Sequence, residues 1–486
     1  MNIAIAAGEA FPFCKTGGLA DVVGALTQDF SRAKGTKIVL FLPHYRGIKN
    51  ASSLRSVSGS FFIPIGQRLE PASLSYLKWG NALVFFIQSA GFFDRGGLYG
   101  GGNKDYPDND ERFIFYSRAV LEACKFIGFR PDIIHAHDWQ AGLIPAYLNT
   151  VYKTDAFFTR TRSLFTVHNM AFQGYFPRES FIKAGFYDAD FTPDKFEYWG
   201  GISYLKTGIV FADKTNTVSP NYARELLAGQ NSFGMEGILR AKGADFSGII
   251  NGIDGNVWDP QSDTLIRMGY DDESFKGKTV CKAALQEEAG LEVNPAAPLI
   301  GMVSRLTYQK GIDLAAEIIP AFAGKAQFII EGKGDDKTEK FLSRLNFLYP
   351  RGVCYSNAQD ETLAHKIYAA SDIFLMPSRF EPCGLSQMIA MRYGAVPVVS
   401  KAGGLSDSVK GWAQGVDNKG ATGFFMETAD AAGLAAALET ALGVYAQKNA
   451  WRALALNGMR ADFSWENSSA QYLKLFNEIN KRGAKW

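Results

Sequence analysis

The run KTGGLADVV at residues 15–23 returns as KAGGLSDSV at 401–409, with six of nine positions identical. Each copy follows an apolar β run, NIAIAAG at 2–8 and AVPVVS at 395–400. In the first copy Leu19, Val22, Val23 and Leu26 fall at i, i+3, i+4 and i+7, which is one face of a helix. A glycine pair where a strand hands over to a helix, once in each half, predicts two similarly built α/β domains. Each domain is expected to point its turn into a shared space. A helix start carries unpaired N–H groups and a partial positive charge, and glycine lets an anion approach that backbone closely. Lys15 adds a full charge, so Lys15, Gly17 and Gly18 read as a cradle for a phosphate or phosphosugar. Taken alone, the stretch reads equally as a glycine turn beside a surface lysine.

The rest of the chain follows the alternation that this turn implies. Strand-like runs at 37–43, 83–87, 133–137, 164–167 and 214–218 are separated by helical spacings such as 141–148 and 222–227. This is the βαβ signature of a parallel sheet covered on both faces. Two stretches lack periodicity and are expected as long functional loops: 91–112, rich in Gly, Asp and aromatics, and 169–201, rich in aromatics and acids. Near GIINGIDG (248–255) the pattern breaks, and a second alternating series begins, with strands at 299–303, 327–330, 353–355, 372–376 and 396–399. The chain ends in a helix with Tyr472, Leu475, Phe476 and Ile479 on one face, stopped at Gly483. That face suits either domain. At 486 residues the chain exceeds one ordinary core. The domains are expected at 1–250 and 251–463, followed by the C-terminal helix at 464–486.

Composition narrows the partners. A formal charge of +2 gives no basic stripe, which argues against nucleic acid. The five cysteines are scattered without a CxxC pair, as in a reducing compartment. No signal peptide and no run of 18 apolar residues is legible, so no membrane association and a cytoplasmic location are expected.

In open parallel sheets, ligands bind beyond the carboxyl ends of the strands. Arg305 and Lys310 follow the strand at 299–303, where fixed cations suit a diphosphate leaving group; a solvated pair is the plain alternative. Glu381, before Pro382, Cys383 and Gly384, is placed to hold sugar hydroxyls or to stabilise charge at an anomeric carbon, or simply to satisfy a helix start. Asp138 and His168 also follow strands. His135 and His137 share one strand face, which keeps a metallohydrolase as a rival, although nothing completes a tight ligand cluster. Asp138 falls on the opposite side if the strand continues. A Walker A loop is absent, and Gly332-x-Gly334 lacks the third glycine of a dinucleotide fingerprint.

Together these residues resemble the bacterial glycogen synthase and plant starch synthase family, which transfers glucose from ADP-glucose to α-1,4-glucan. The motifs run along nearly the whole chain: KTGGLADVVGAL at Lys15, FDRGGLYG at Phe93, DNDERF at Asp108, HAHDWQAGL at His135 and FTVHNMAFQG at Phe165. NGID at Asn251, SRLTYQKGIDL at Ser304, SRFEPCGLSQ at Ser378 and FSWENSSAQYL at Phe463 continue them. The resemblance implies a glycosyltransferase type B fold, two doubly wound Rossmann-like domains facing a deep cleft, with the acceptor glucan on the N-terminal domain and the nucleotide sugar on the C-terminal one. It implies a retaining reaction with no cofactor and no metal. It places Lys15, Gly17 and Gly18 near the donor phosphates, Arg305 and Lys310 on the diphosphate, and Glu381, Asp138 and His168 at the glucose. Cys383, Gly384 and Leu385 would line the donor site through backbone N–H groups, and Tyr99 and Asn251 join the substrate-binding set. Thr27, Ser386 and Ile389 depart from the family pattern without removing a phosphate or sugar contact. A UDP-glucose user of the same fold remains the nearest alternative, and acceptor length and oligomeric state stay open.

Overall fold

Strand β1 (Asn2–Ala6) is central because all its side chains but the first are buried, as a strand covered on both faces requires. In the computed structural model, which describes residues 1–49, 51–101, 104–358 and 360–481, the chain divides into two units. The first holds Met1–Ile249 and the C-terminal helix; the second holds Ile250–Ser464.

In the first unit, α1 (Gly18–Arg32), β2 (Lys37–Pro43), β3 (Arg68–Trp79), β4 (Ala82–Gln88) and α2 (Asn109–Phe126) follow β1. Next come β5 (Ile133–His137), β6 (Arg162–Val167), β7 (Lys214–Thr217) and β8 (Phe246–Gly248). Eight strands of the sheet run in the order β8-β7-β6-β5-β1-β2-β4-β3, parallel except where β3 turns back antiparallel on β4, and the short strands Arg55–Ser56 and Phe61–Ile65 pair antiparallel with β3. The second unit is wholly parallel, with strands β9 (Leu299–Val303), β10 (Gln327–Glu331), β11 (Val353–Ser356), β12 (Ile373–Met376), β13 (Val396–Ser400) and β14 (Phe424–Met426). Their order is β11-β10-β9-β12-β13-β14. Each unit has its own apolar cluster. Among the described residues no helix is long and apolar enough to cross a membrane, and all five cysteines are free.

Two expected loops are more ordered than their composition implies. The stretch 91–112 contains a turn of helix at Ala90–Phe93 and a short ladder of Gly100–Gly101 with Lys104–Asp105, and α2 already begins at Asn109. Asp110 and Glu111 occupy its first turn, where negative charge is favoured. Fully buried Arg112 then gathers the Phe92 and Leu98 carbonyls and Asn109 at 2.7–2.9 Å. The stretch 169–201 holds a helix at Arg178–Ala184 and a three-stranded antiparallel sheet. Its Phe181, Phe186 and Phe196 are core residues, which is why an aromatic-rich segment folds instead of looping.

The C-terminal helix (Trp465–Asn480) packs on the first unit. Tyr472, Phe476 and Ile479 are fully buried there, while Leu475 packs only in part; Gly483 lies outside the described residues. Tyr472 accepts a hydrogen bond from Asn216 of β7 at 3.0 Å, and Phe30 of α1 lies 5.3 Å from Phe476 ring to ring. Emptying this contact should open a cavity. Phe476→Ala is expected to cost about 3–5 kcal/mol in denaturant unfolding of the full chain, within the transition that carries the first unit. A cost below 1 kcal/mol would mean that the helix is only loosely attached.

Candidate active site

The first unit gathers its site at the ends of β1, β5 and β6. After β1 the chain passes Gly8 and Glu9 and reaches α1, whose N-cap is Gly17 with no side-chain cap of its own. The cap comes from Glu9, 3 % exposed. Its carboxylate accepts from the Thr16 and Gly17 N–H groups, from the Thr16 hydroxyl at 2.7 Å and from the Tyr99 hydroxyl at 3.0 Å. Burial raises the Glu9 pKa, and those donors counter it. Lys15 is half-exposed and paired with Asp21 at 2.7 Å. A Cβ on Gly17 would meet open space, and Gly18 is exposed, so the turn is accessible. Glu9 is not among the residues that the sequence motifs single out; its place just past a strand end is the available signal.

β5 stops at His137. Asp138 takes φ 53°, unusual for a residue other than glycine, and so does not continue the strand as expected. Its carboxylate turns to accept the His168 N–H at 2.7 Å. Burial pushes its pKa up to about 8, with the negative charge of Glu9 adding to the rise and backbone N–H groups opposing it. The His168 ring lies 2.9 Å from His137 Nδ1, and burial brings its pKa down to about 3, so it is a neutral imidazole.

His135 belongs to the core. Its Nε2 meets the Thr166 hydroxyl at 2.7 Å, and that hydroxyl gives its own proton to Asn216, so His135 Nε2 carries a hydrogen and donates. Tyr472 and Phe476 flank its ring. The His135 and His137 ring centres lie 4.0 Å apart with the rings tilted by 41°, and among the described residues no group of three His, Cys, Asp or Glu is assembled to hold a metal.

In the second unit, the loops after β9 and β12 are tied together. The Arg379 N–H donates to the Gln309 carbonyl at 2.8 Å, and the Arg379 guanidinium grips Asp313 at 2.6–2.7 Å. This brings Lys310 Nζ to 2.5 Å from a Glu381 carboxylate oxygen, which also accepts from the Ser378 hydroxyl at 3.0 Å. Arg305 is exposed. Buried Cys383 has its thiol pushed up to about 12 by burial and faces the Asn251 backbone. Asn251 is itself buried, and its side-chain oxygen has no partner among the described residues. Gly384 (φ 72°) and Leu385 lead into the helix Ser386–Arg392.

The second glycine turn does not form an open cradle. Gly403 and Gly404 are buried, and a Cβ on either would collide with the Glu381–Cys383 backbone. Gly403 has φ 40°. Lys401 pairs with Glu427 at 2.7 Å. These glycines exist for close packing beneath Glu381, and the expectation of two equivalent turns pointing into a shared space is corrected: only the first is open.

Two consequences are measurable. Lys310 supports a buried carboxylate, so it is not the dispensable surface lysine that its sequence context allows. Lys310→Ala should cost about 3 kcal/mol in stability by leaving Glu381 unpaired, and Glu381→Gln in the same chain should restore much of it; a neutral single substitution would deny the pairing. The His168 pKa is depressed from 6.5 to about 3, so its contribution is present above pH 6.5 and is lost as pH falls towards 3. The Asp138 pKa is raised from 3.8 to about 8, so its contribution is present below pH 3.8 and is lost as pH rises through 8. Unfolding free energy against pH should therefore flatten below pH 6.5 in His168→Asn and above pH 4 in Asp138→Asn. Curves parallel to the parent would contradict both assignments.

Comparison with known proteins agrees with this fold. Residues 2–241 match the starch synthase catalytic domain family model, and residues 286–454 match glycosyl transferases group 1. The chain is 58 % identical to the glycogen synthase of Elusimicrobium minutum over 99 % of both sequences, and 40 % identical to that of Syntrophotalea carbinolica over 98 % of both. The solved catalytic domain of starch synthase IV from Arabidopsis thaliana, bound to ADP and acarbose, superposes with a TM-score of 0.91 at 32 % identity, covering 99 % of each chain. Sucrose-phosphate synthase from Thermosynechococcus elongatus shares the fold at a TM-score of 0.60 and 18 % identity, covering 99 % of this chain and 100 % of that one. Two parallel-sheet units with their charged residues at strand ends, matched along the full length to glycogen synthases, place this chain in the glycogen synthase and starch synthase family of type B glycosyltransferases.

Proposed function

We propose that this chain transfers glucose from ADP-glucose to the non-reducing end of an α-1,4-glucan, with retention at the anomeric carbon and release of ADP. The reading rests above all on the Glu381–Lys310 pair in a chain that is 58 % identical to a glycogen synthase over 99 % of its length. In the reaction the bond from glucose C1 to the diphosphate oxygen breaks, and the acceptor 4-hydroxyl oxygen bonds to C1 on the same face. The hydroxyl proton leaves towards the departing phosphate.

Each residue has a part suited to its surroundings. Arg305 and Lys310 face the growing charge of the diphosphate, and such fixed cations act most strongly where water is excluded. Glu381, held by Lys310 and Ser378, stands ready to balance positive charge at C1 or to hold sugar hydroxyls. Lys15, Gly17 and Gly18 offer a cation and an accessible helix start to the donor phosphates. Asp138 and His168 take glucose hydroxyls, the neutral imidazole being able to accept or donate. Tyr99 completes that group through Glu9, and the unpartnered oxygen of Asn251, with Cys383, Gly384 and Leu385, lines the donor side. The same reading places the protein in the cytoplasm.

The test is turnover on glycogen with ADP-glucose and UDP-glucose side by side. ADP-glucose should be the better donor by kcat/KM, and the reverse order would make the chain a UDP-glucose transferase of the same fold. Arg305→Ala should lower kcat by a factor on the order of 10²–10³, the effect of losing about 2.7–4 kcal/mol of transition-state stabilisation. Because Arg305 is exposed, its Tm should hold. Activity within a few-fold of the parent would leave Arg305 as an ordinary solvated side chain.

A further inference from the structure

The helix Asp336–Leu348 follows β10 in the second unit and buries only Leu342 and Leu345. Its opposite face carries Lys337, Lys340, Phe341, Arg344, Phe347 and Leu348, all exposed. At about 100° per residue these side chains fall within an arc of roughly 120°. Phe347 is 81 % exposed, Leu348 53 % and Phe341 44 %. One such residue is ordinary on a protein surface, but three on one face of one helix call for a partner.

The charges on this face are of one sign. Acids lie at the other end of the helix and are used locally. Asp335 accepts the Lys337 and Thr338 N–H groups at 3.0 Å, and Glu339 accepts the Gly334 N–H at 3.0 Å. From Lys340 to Arg351 the sequence KFLSRLNFLYPR contains no acid. Among the described residues, none of Lys337, Lys340, Arg344 and exposed Arg351 joins an ion pair. Their charge is open to something outside the chain, in a protein whose formal charge is only +2.

Apolar side chains set among unpaired cations fit few partners. A second copy of this face would bring cations against cations. A nucleic-acid strand follows a basic groove, whereas the face of a helix is convex, and leucine offers no ring for a base to stack on. An anionic lipid surface answers both features at once. Cations neutralise the headgroups, while Phe and Leu side chains enter the boundary between headgroups and acyl chains. Lys337, Lys340, Arg344 and Arg351 together reach the size of basic cluster that such surfaces attract.

We propose that the exposed face of Asp336–Leu348 is a peripheral attachment site for anionic lipid headgroups, holding the second unit against a membrane surface. The expectation of no membrane association rests on the lack of a long apolar run, which this attachment does not require. None of the residues on this face belongs to the candidate active site, so attachment and glucose transfer are separable.

The full chain should float with vesicles of phosphatidylcholine mixed with phosphatidylglycerol and not with phosphatidylcholine alone, and added salt should release it. Lys340→Glu combined with Arg344→Glu should weaken this binding more than about 100-fold, since each cation lost near such a surface accounts for roughly fivefold and each reversed one for more. Phe347→Ala combined with Leu348→Ala should weaken it about tenfold at unchanged charge. In both variants Tm and glucose transfer to soluble glycogen should stay close to the parent values, because the altered side chains are exposed. Failure of the parent to float with the anionic vesicles would overturn the proposal. Binding that survives both variants would also overturn it, since the lipid contact then lies elsewhere. Retention on heparin or single-stranded DNA without vesicle binding would overturn it too and mark the face as a site for an acidic polymer.

Discussion

Glu381 is a carboxylate with 5 % of its surface exposed, and Lys310 at 2.5 Å is the cation that balances it. Much of the second unit is arranged to keep that pair in place. The Arg379–Asp313 fork joins the two strand-end loops, Ser378 supplies a second hydrogen bond to Glu381, and Gly403 and Gly404 let α-helical backbone lie directly beneath residues 381–383. A buried pair of this kind is a weak source of stability, because desolvation consumes most of its Coulomb attraction. What it secures is position: a carboxylate and an ammonium group fixed side by side just beyond the strand ends of the second unit.

The first unit solves a related problem with a different charge. Glu9 places its carboxylate on the N–H groups at the start of α1, and Lys15 leans on Asp21. The helix start and the lysine are therefore both balanced from within the chain. An anion arriving at Gly17 meets a turn whose donors already have a partner, so its binding is an exchange. The shared sequence of the two glycine turns hides this difference, since one is open to solvent and the other is closed by backbone.

Strand positions were legible because fully buried parallel strands leave continuous apolar runs, and Ile133–His137 and Leu299–Val303 fall where those runs lie. Candidate residues were legible for a second physical reason: parallel sheets place ligands beyond strand ends, where Asp138, His168, Arg305 and Glu381 all stand. What escaped was pairing. Nothing in the local sequence indicates that Lys310 meets a residue 71 positions later, or that Glu9 caps a helix that begins nine residues on. The stretches 91–112 and 169–201 were misjudged because their order comes from Arg112 and from a Phe181–Phe186–Phe196 cluster, both tertiary features without periodicity. The glycines at 403 and 404 were misassigned because a close approach to another backbone looks, in sequence, the same as an approach to an anion.

The central physical claim is that side chains of this protein balance the charge released with the leaving nucleoside diphosphate. It is tested most directly by measuring glucose transfer from ADP-glucose to glycogen after exhaustive chelation, with residual metal determined by elemental analysis. The account predicts that the rate is unchanged by chelation, because Lys310, Arg305 and Lys15 carry the positive charge. Activity that disappears on chelation and returns with one stoichiometric divalent ion would contradict it.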